Sequence, residues 1–303
     1  MVDSIKIKNN ATNSIKSFDM SEADYLIYEG AIDWGNVSVN HNTFSYPTQI
    51  GSYITNTVIG TRDVSINGWI IGDTLDDINR KKEELSKLIN PLEQITIYVG
   101  DYSMHGKPSS NVTYSKEYAE NNEVCCKFLI QVLCDYPMFI LTNPLTPEIG
   151  KIFGGFMFPL TIPKEKGMIM GYRRRSLFVS IDNQGSISVG VKIKIYAHGT
   201  VNNIEITDVV TGKKIRINKV LSSGEVVEID TNAGERHVTG IVNGTEYDYI
   251  QYFDYDSDWL QLQTGVNTLT FRSYSSDNIA DETYKRAEVI IEYKSAIYNI
   301  PEE

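Results

Sequence analysis

Of the 303 residues, only one stretch, 74–90, repeats its apolar side chains at helical spacing. Leu75, Ile78, Leu85, Leu88 and Ile89 form a stripe down one face, as a helix lying on a core requires. Asp73 or Thr74 can cap the first turn, where Asp76 and Asp77 meet the positive end of the helix dipole. Glu83 and Lys87 pair one turn apart on the wet side, and Pro91 cannot continue the ladder. A chain with one helix must bury the rest of its apolar surface in sheets. The fold class is therefore mainly β with one helix, and that helix covers strands of an α+β first domain.

The remaining sequence supplies the strands. Residues 5–8 alternate, 27–39 mix strand and turn types, and across 60–72 Val64, Ile66 and Gly68 share one face of a strand, with Arg62 at its entry. Gly68 inside it marks a bulge or a close approach of another part of the chain. Residues 95–99 form the next strand and 106–111 a loop. Residues 123–139 form a long strand with Phe128, Ile130, Val132 and Cys134 on one side. Pro137, Pro144, Pro147 and the pair Gly154-Gly155 then break the pattern. This sets domains at 1–142 and 156–303 with a linker at 143–155. Beyond the linker, short strands recur between turns: 178–181, 191–196, 204–206, 214–217, 226–229, 238–242, 267–271 and 287–293. Regular short strands without a helix indicate a β-sandwich.

Length also argues for two domains, because a single core stops growing at about 250–300 residues. With 41% hydrophobic residues the chain is not disordered, and 19 Tyr and 10 Phe suit pleated, half-buried surfaces. A net charge of −11 argues against a generic nucleic-acid binder, which needs a cationic face. The charge is unevenly spread. Residues 1–140 carry 11 basic and 18 acidic side chains, 141–220 carry 12 and 5, and 221–303 carry 5 and 16. Complementary faces of neighbouring subunits in a ring would use such a split; a solvated surface with drifting charge is the plainer reading. No apolar run approaches the roughly 20 residues that cross a bilayer, and 1–10 lacks the apolar middle of a signal peptide. Neither a membrane nor secretion is expected.

The search for chemistry returns little. His41, His105, His198 and His237 stand apart, and no nucleophile elbow, phosphate loop or dinucleotide fingerprint occurs. Cys125, Cys126 and Cys134 lack metal or redox spacing and read as inert thiols. No enzyme activity, cofactor or metal is expected. One cluster stands out: Tyr247, Tyr249, Tyr252, Phe253, Tyr255 and Trp259 interleave with Asp248, Asp254, Asp256 and Asp258. The aspartates resemble the start of a calcium loop, but Trp259 stands where that loop needs glycine and Gly265 where it needs a bidentate glutamate. Tyr252, Tyr255 and Trp259 are candidates for stacking on sugar rings, while a loop with core-facing aromatics is the simpler alternative. Arg173-Arg174-Arg175 reads as a partner contact or a solvated strand edge.

Several motifs, in order, carry a family resemblance. Gly60-x-Arg62-x-Val64-x-Ile66-x-Gly68 precedes a helix that ends at Leu88-Ile89-Asn90-Pro91, and a long strand closes on Asp135-Tyr136-Pro137. Asp182-Asn183-Gln184-Gly185, Thr211-Gly212 and Ser222-x-Gly224-Glu225 follow. They lead to Ser257-x-Trp259-Leu260-x-Leu262-x-x-Gly265-x-Asn267. In this order and spacing the chain resembles the phage distal tail proteins, siphovirus-type tail components that also occur in contractile tails and phage-derived bacteriocins. The resemblance implies an N-terminal tail-tube-like β domain with a helix and a C-terminal galectin-like β-sandwich. It implies a homo-hexameric ring in the virion tail tip or baseplate, assembled in the bacterial host cytoplasm. Its partners would be the tail tube protein, the tail hub or tail-associated protein and receptor-binding proteins, with no sequence-specific nucleic acid. A carbohydrate-binding module built on the C-terminal sandwich is the alternative. Residue patterning adds one expectation, that strand edges at 5–7 or 95–99 pair between neighbours.

Overall fold

The computed structural model describes residues 4–21, 24–47, 50–149, 152–154, 171–173, 178–275, 277 and 279–300. Residues 150, 151 and 155 of the expected linker, and Arg174 and Arg175, lie outside these residues. The chain divides into two compact units, residues 1–142 with 297–303, and residues 143–296. It is mainly β with one helix, as the patterning requires.

Unit 1 is built from β1 (Ser4–Asn9), β2 (Ile15–Asp19), β3 (Tyr25–Leu26), β4 (Ile32–Asp33), β5 (Val37–Phe44), β6 (Tyr53–Ile71), α1 (Leu75–Leu88), β7 (Ile95–Val99), β8 (Tyr102–Pro108), β9 (Thr113–Tyr114), β10 (Cys125–Cys134) and β11 (Phe139–Leu141). The strands run in the order β8-β7-β1-β2-β3-β6-β10, and a further pairing of β10 with β8 closes the sheet into a barrel. Period-2 patterning fills its interior. Arg62, Val64, Ile66 and Ile70 of β6 are buried on the same side, as are Cys126, Phe128, Ile130, Val132 and Cys134 of β10. β1 and β7 lie in the middle of this order, each paired on both sides. Their backbone groups are satisfied within the barrel, so the expectation that they pair between neighbouring subunits is corrected. The expected loop at 106–111 also starts late, because Gly106 to Pro108 end β8.

Thr74 caps α1 by accepting from the amide of Asp77 at 3.2 Å. Ile78, Leu85, Leu88 and Ile89 join the core, but Leu75 is 50% exposed and falls off the stripe. Lys81 takes a buried position instead. Its ammonium donates to the Ile71 carbonyl at 2.7 Å and pairs with Asp24 at 2.7 Å and Asp77 at 2.8 Å. Burial alone would favour the neutral amine, but these carboxylates outweigh it and hold its pKa above the ordinary lysine value.

Unit 2 holds β12 (Glu148–Ile149), β13 (Ile152–Gly154), β14 (Gly171–Arg173), β15 (Phe178–Asn183), β16 (Val189–Gly190), β17 (Lys192–Ala197), β18 (Ile204–Asp208), β19 (Lys214–Ile217), β20 (Val226–Asp230), β21 (His237–Val242), β22 (Thr245–Asp248), β23 (Gln261–Leu262), β24 (Gly265–Tyr274), β25 (Ala280–Asp281) and β26 (Ala287–Glu292). Two sheets dominate, β12-β26-β17-β20-β21-β22 and β15-β24-β18-β19 with β25 beside β24. Each buries one face. Ile193, Ile195, Val227, Ile229, Val289 and Ile291 come from the first, and Ile181, Ile206, Ile215, Leu269 and Phe271 from the second. The Tyr293 hydroxyl joins the sheets by donating to the Asp182 carbonyl at 3.0 Å. The other face of the first sheet is a lattice of paired charges. Lys192 meets Glu228 at 2.6 Å, and Lys194 meets Glu292 at 3.1 Å.

Two stretches behave differently from the sequence expectation. Residues 145–149, expected in a linker, extend the first sheet of unit 2: Leu145 bridges Tyr293, and β12 pairs with β26. The last strand, β27 (Ala296–Ile297), pairs with β11. Ile297 and Ile300 pack on the unit 1 core, so the chain's end belongs with unit 1.

Candidate assembly interface

β5 and the first half of β6 leave the barrel as a two-stranded hairpin, with Val39 opposite Ile59, Asn40 opposite Val58 and Phe44 opposite Tyr53. Residues directly opposite share a face, so both faces of this ribbon carry apolar side chains. Val39, Phe44, Tyr53, Ile54, Val58 and Ile59 are each at least 42% exposed. Phe44 packs edge-on against Tyr46 with ring centroids 4.9 Å apart. A two-stranded ribbon is marginal in water by itself, and a contiguous apolar surface this far from a core marks a contact region. β5 pairs only with β6 among the described residues, so its outer edge is open.

The hairpin's root is built by motif residues. The register shifts between Val37 and Val39, where Gly60 and Thr61 of β6 together face the single residue Ser38, a bulge in β6. The Ser38 hydroxyl donates to the Thr61 carbonyl at 2.9 Å, and a Cβ on Gly60 would stand 2.3 Å from that hydroxyl. Glycine at 60 therefore leaves room for the bulge. Arg62, one step further, is 1% exposed. Its Nη2 donates to the Tyr298 carbonyl at 2.8 Å, and its guanidinium lies 5.2 Å from the centroid of the Phe139 ring. Among the described residues Nε and Nη1 find no acceptor. Burial lowers the Arg62 pKa from its ordinary value and pushes the facing Cys134 thiol up to about 12, which leaves that thiol protonated and inert.

The other motif residues hold geometry. Gly68 leaves room for Phe128 and the Leu26 carbonyl, Pro91 follows α1, and buried Pro137 follows β10 and leads into Phe139. Gly185 sits in the turn after β15, where its amide donates to the Asn183 side chain at 3.0 Å. Gly212 and Gly224 lie in turns. Gly265 has φ +84°, and buried Asn267 staples that turn by accepting from the Gln263 amide and donating to the Gln263 and Gly265 carbonyls, each at 2.8 Å.

The aromatic cluster lies beside β19, where Phe253 bridges Ile217 and the amides of Asp254 and Asp258 bond Arg216 and Lys214. Of the three rings named for sugar contact, only Tyr255 stands fully open, at 100% exposure. Tyr252 stands T-shaped against Tyr249. Trp259 stacks on Phe253 at 4.6 Å and carries the Arg236 guanidinium 5.7 Å from its centroid. The Asn218 amide and the Asp256 N–H bond the Asp254 carboxylate and hold its pKa below the usual range. Among the described residues no three His, Cys, Asp or Glu side chains gather as metal ligands. The histidines stay dispersed: His41 meets Thr57, His105 meets Thr96, His198 meets Glu288, and His237 meets the Glu235 carbonyl.

Sequence reasoning passed over the hairpin and Lys81. The hairpin could have been found from the strand-forming residue types of 37–44 and 53–59 on either side of Pro47 and Gly51.

Two family models match the chain. Residues 22–134 match the phage tail protein RIFT-related domain, and residues 184–287 match the siphovirus-type tail component, C-terminal domain. No curated protein matches it. Among solved structures it is similar to the crystal structure of SPP1 Dit, described as a paradigm of the hub adsorption apparatus in phages infecting Gram-positive hosts. That similarity has a TM-score of 0.65 at 13% identity, over 96% of this chain and 98% of the other. It is also similar to a chain of the phage P2 baseplate in its activated conformation with Ca, with a TM-score of 0.52 at 13% identity, over 99% and 100% of the two chains. At these identities the structures share a fold.

Proposed function

The chain belongs to the siphovirus-type tail components, the phage distal tail proteins, and on that premise we propose that it is a structural subunit of a tail tip or baseplate. In this reading six copies close into a ring through their barrel units, and unit 2 is a galectin-like sandwich. The ring joins the tail tube protein to the tail hub and carries receptor-binding proteins. The subunit acts by holding others in place, without a catalytic step or a cofactor. Subunits are made in the host cytoplasm and reside in the virion tail.

The observation that carries this proposal is the hairpin of β5 and β6, apolar on both faces and open along one edge. A ring needs two different complementary patches on each subunit, because the interface is heterologous and closes on itself. An open-edged apolar ribbon supplies one patch, and a neighbouring barrel surface supplies the other. The acidic balance of residues 1–140 suits a channel lining that does not retain phosphate.

The test replaces residues 40–58 with a two-residue Asn-Gly turn and compares the variant with the full chain, each mixed with tube and hub proteins. Negative-stain images and light scattering should show rings for the full chain and a folded monomer for the variant. A full chain that stays monomeric with those partners present overturns the ring. Rings formed equally by the variant overturn the hairpin's part in it.

A further inference from the structure

Arg62 presents an unexplained cost. A guanidinium 1% exposed gives up the hydration of a full charge, which only good hydrogen bonding can offset. Among the described residues it receives in return one hydrogen bond and one aromatic face. That single acceptor, the Tyr298 carbonyl, belongs to the chain's last described stretch, which is more than two hundred positions away in sequence. The residues around the contact follow the same plan. Ile297 and Ile300 pack on the barrel core, β27 pairs with β11, and Phe139 of β11 receives the Arg62 guanidinium on its face and Trp34 at its edge. Arg62 is the first buried residue of β6 as that strand passes from hairpin into barrel, and it stands opposite Val37, directly after the bulge at Gly60 and Thr61. The contact therefore lies at the barrel end where the hairpin is rooted.

We propose that residues 297–300 are a clasp, held by the Arg62 guanidinium, that closes this barrel end and fixes the hairpin at its root. Arg62 is a positioning residue: it acts on the hairpin through the backbone of its own strand and through the segment it binds. A hydrophobic residue at 62 could fill the same space but could not choose among chain segments, whereas a buried donor accepts only a segment that brings a carbonyl to it. The proposal concerns how unit 1 is built, so its test does not require a ring.

Hydrogen exchange on the full-length chain carrying Arg62→Met tests it. Methionine keeps the length and apolar contact of the side chain and removes all the donors. Exchange of the amides of 297–300 should rise roughly tenfold or more, the loss expected for a hydrogen bond to a charged group. Exchange should rise also at Val37 and Val39, while the barrel-interior strands β1 and β7 keep their protection. Arg62→Lys, which restores one charged donor, should recover part of the protection at 297–300. Unchanged exchange at 297–300 in Arg62→Met overturns the clasp. So does an equal rise through β1 and β7, which would make Arg62 a general support of the barrel. A complementary variant, Ile297→Ser with Ile300→Ser, leaves Arg62 in place and weakens the segment's packing. It should raise exchange at Val37 and Val39 as Arg62→Met does, and protection retained there would separate the hairpin root from the clasp.

Discussion

At Gly68 a side chain is ruled out by what faces it. A Cβ there would lie 2.5 Å from Cζ of Phe128 and 2.7 Å from the Leu26 carbonyl oxygen. The ring could shift slightly, but the carbonyl belongs to a paired strand and cannot. Gly68→Ala should therefore destabilise unit 1 by about 1–3 kcal/mol, the usual cost of overpacking, read as a lower midpoint in denaturant with an unchanged slope. An unchanged midpoint would mean that β3 yields at Leu26. Residue-scale legibility divides along the same line. Glycine inside a strand points to a bulge or a close approach, and here it is the close approach. Lys81 declares nothing of its burial, because a lysine at a helical position usually faces water. Only the folded chain brings Asp24, Asp77 and the Ile71 carbonyl around its ammonium. Alternation sets Arg62 only at the entry of its strand, and its partner at Tyr298 lies beyond the reach of any periodic pattern.

Elements were legible in proportion to how much of their stability is local. The helix has its cap, first-turn acids, stripe and proline stop written in consecutive residues, and its observed span, Leu75–Leu88, lies within the expected 74–90. Thr74→Ala removes the bond to the Asp77 amide and should cost about 1 kcal/mol, measurable as a drop in the unfolding midpoint of unit 1. Thr74→Asp should retain most of that stability, since a carboxylate accepts from the same amide and favours the helix dipole. If alanine and aspartate behave alike, the cap contributes nothing. Strands that pair with distant segments were harder to place. β8 was read as a loop from Gly106 onward because Gly106 and Pro108 are turn residues, although β10 and β7 hold that stretch in register. In β6 only the barrel half alternates between buried and exposed. Its hairpin half carries apolar residues on both faces, so no single buried face marks it as a strand.

For the whole molecule, the two units each have their own buried core, and their strands pair into separate sheets. Cores that share no sheet should melt as separate cooperative units, which gives two transitions in calorimetry. Phe128, 1% exposed in the barrel, and Ile193, fully buried in the first sheet of unit 2, report on one core each. Phe128→Ala should cost about 3–5 kcal/mol and lower only the transition of unit 1. Ile193→Ala should cost about 2–5 kcal/mol and lower only that of unit 2. A single transition lowered by both substitutions would mean that the units unfold together. In that case the clasp at 297–300, which follows unit 2 in the chain, becomes the element to remove next. Shortening the chain to end at Ala296 should then restore two transitions if the returning segment transmits the coupling, and should leave one if the coupling lies elsewhere.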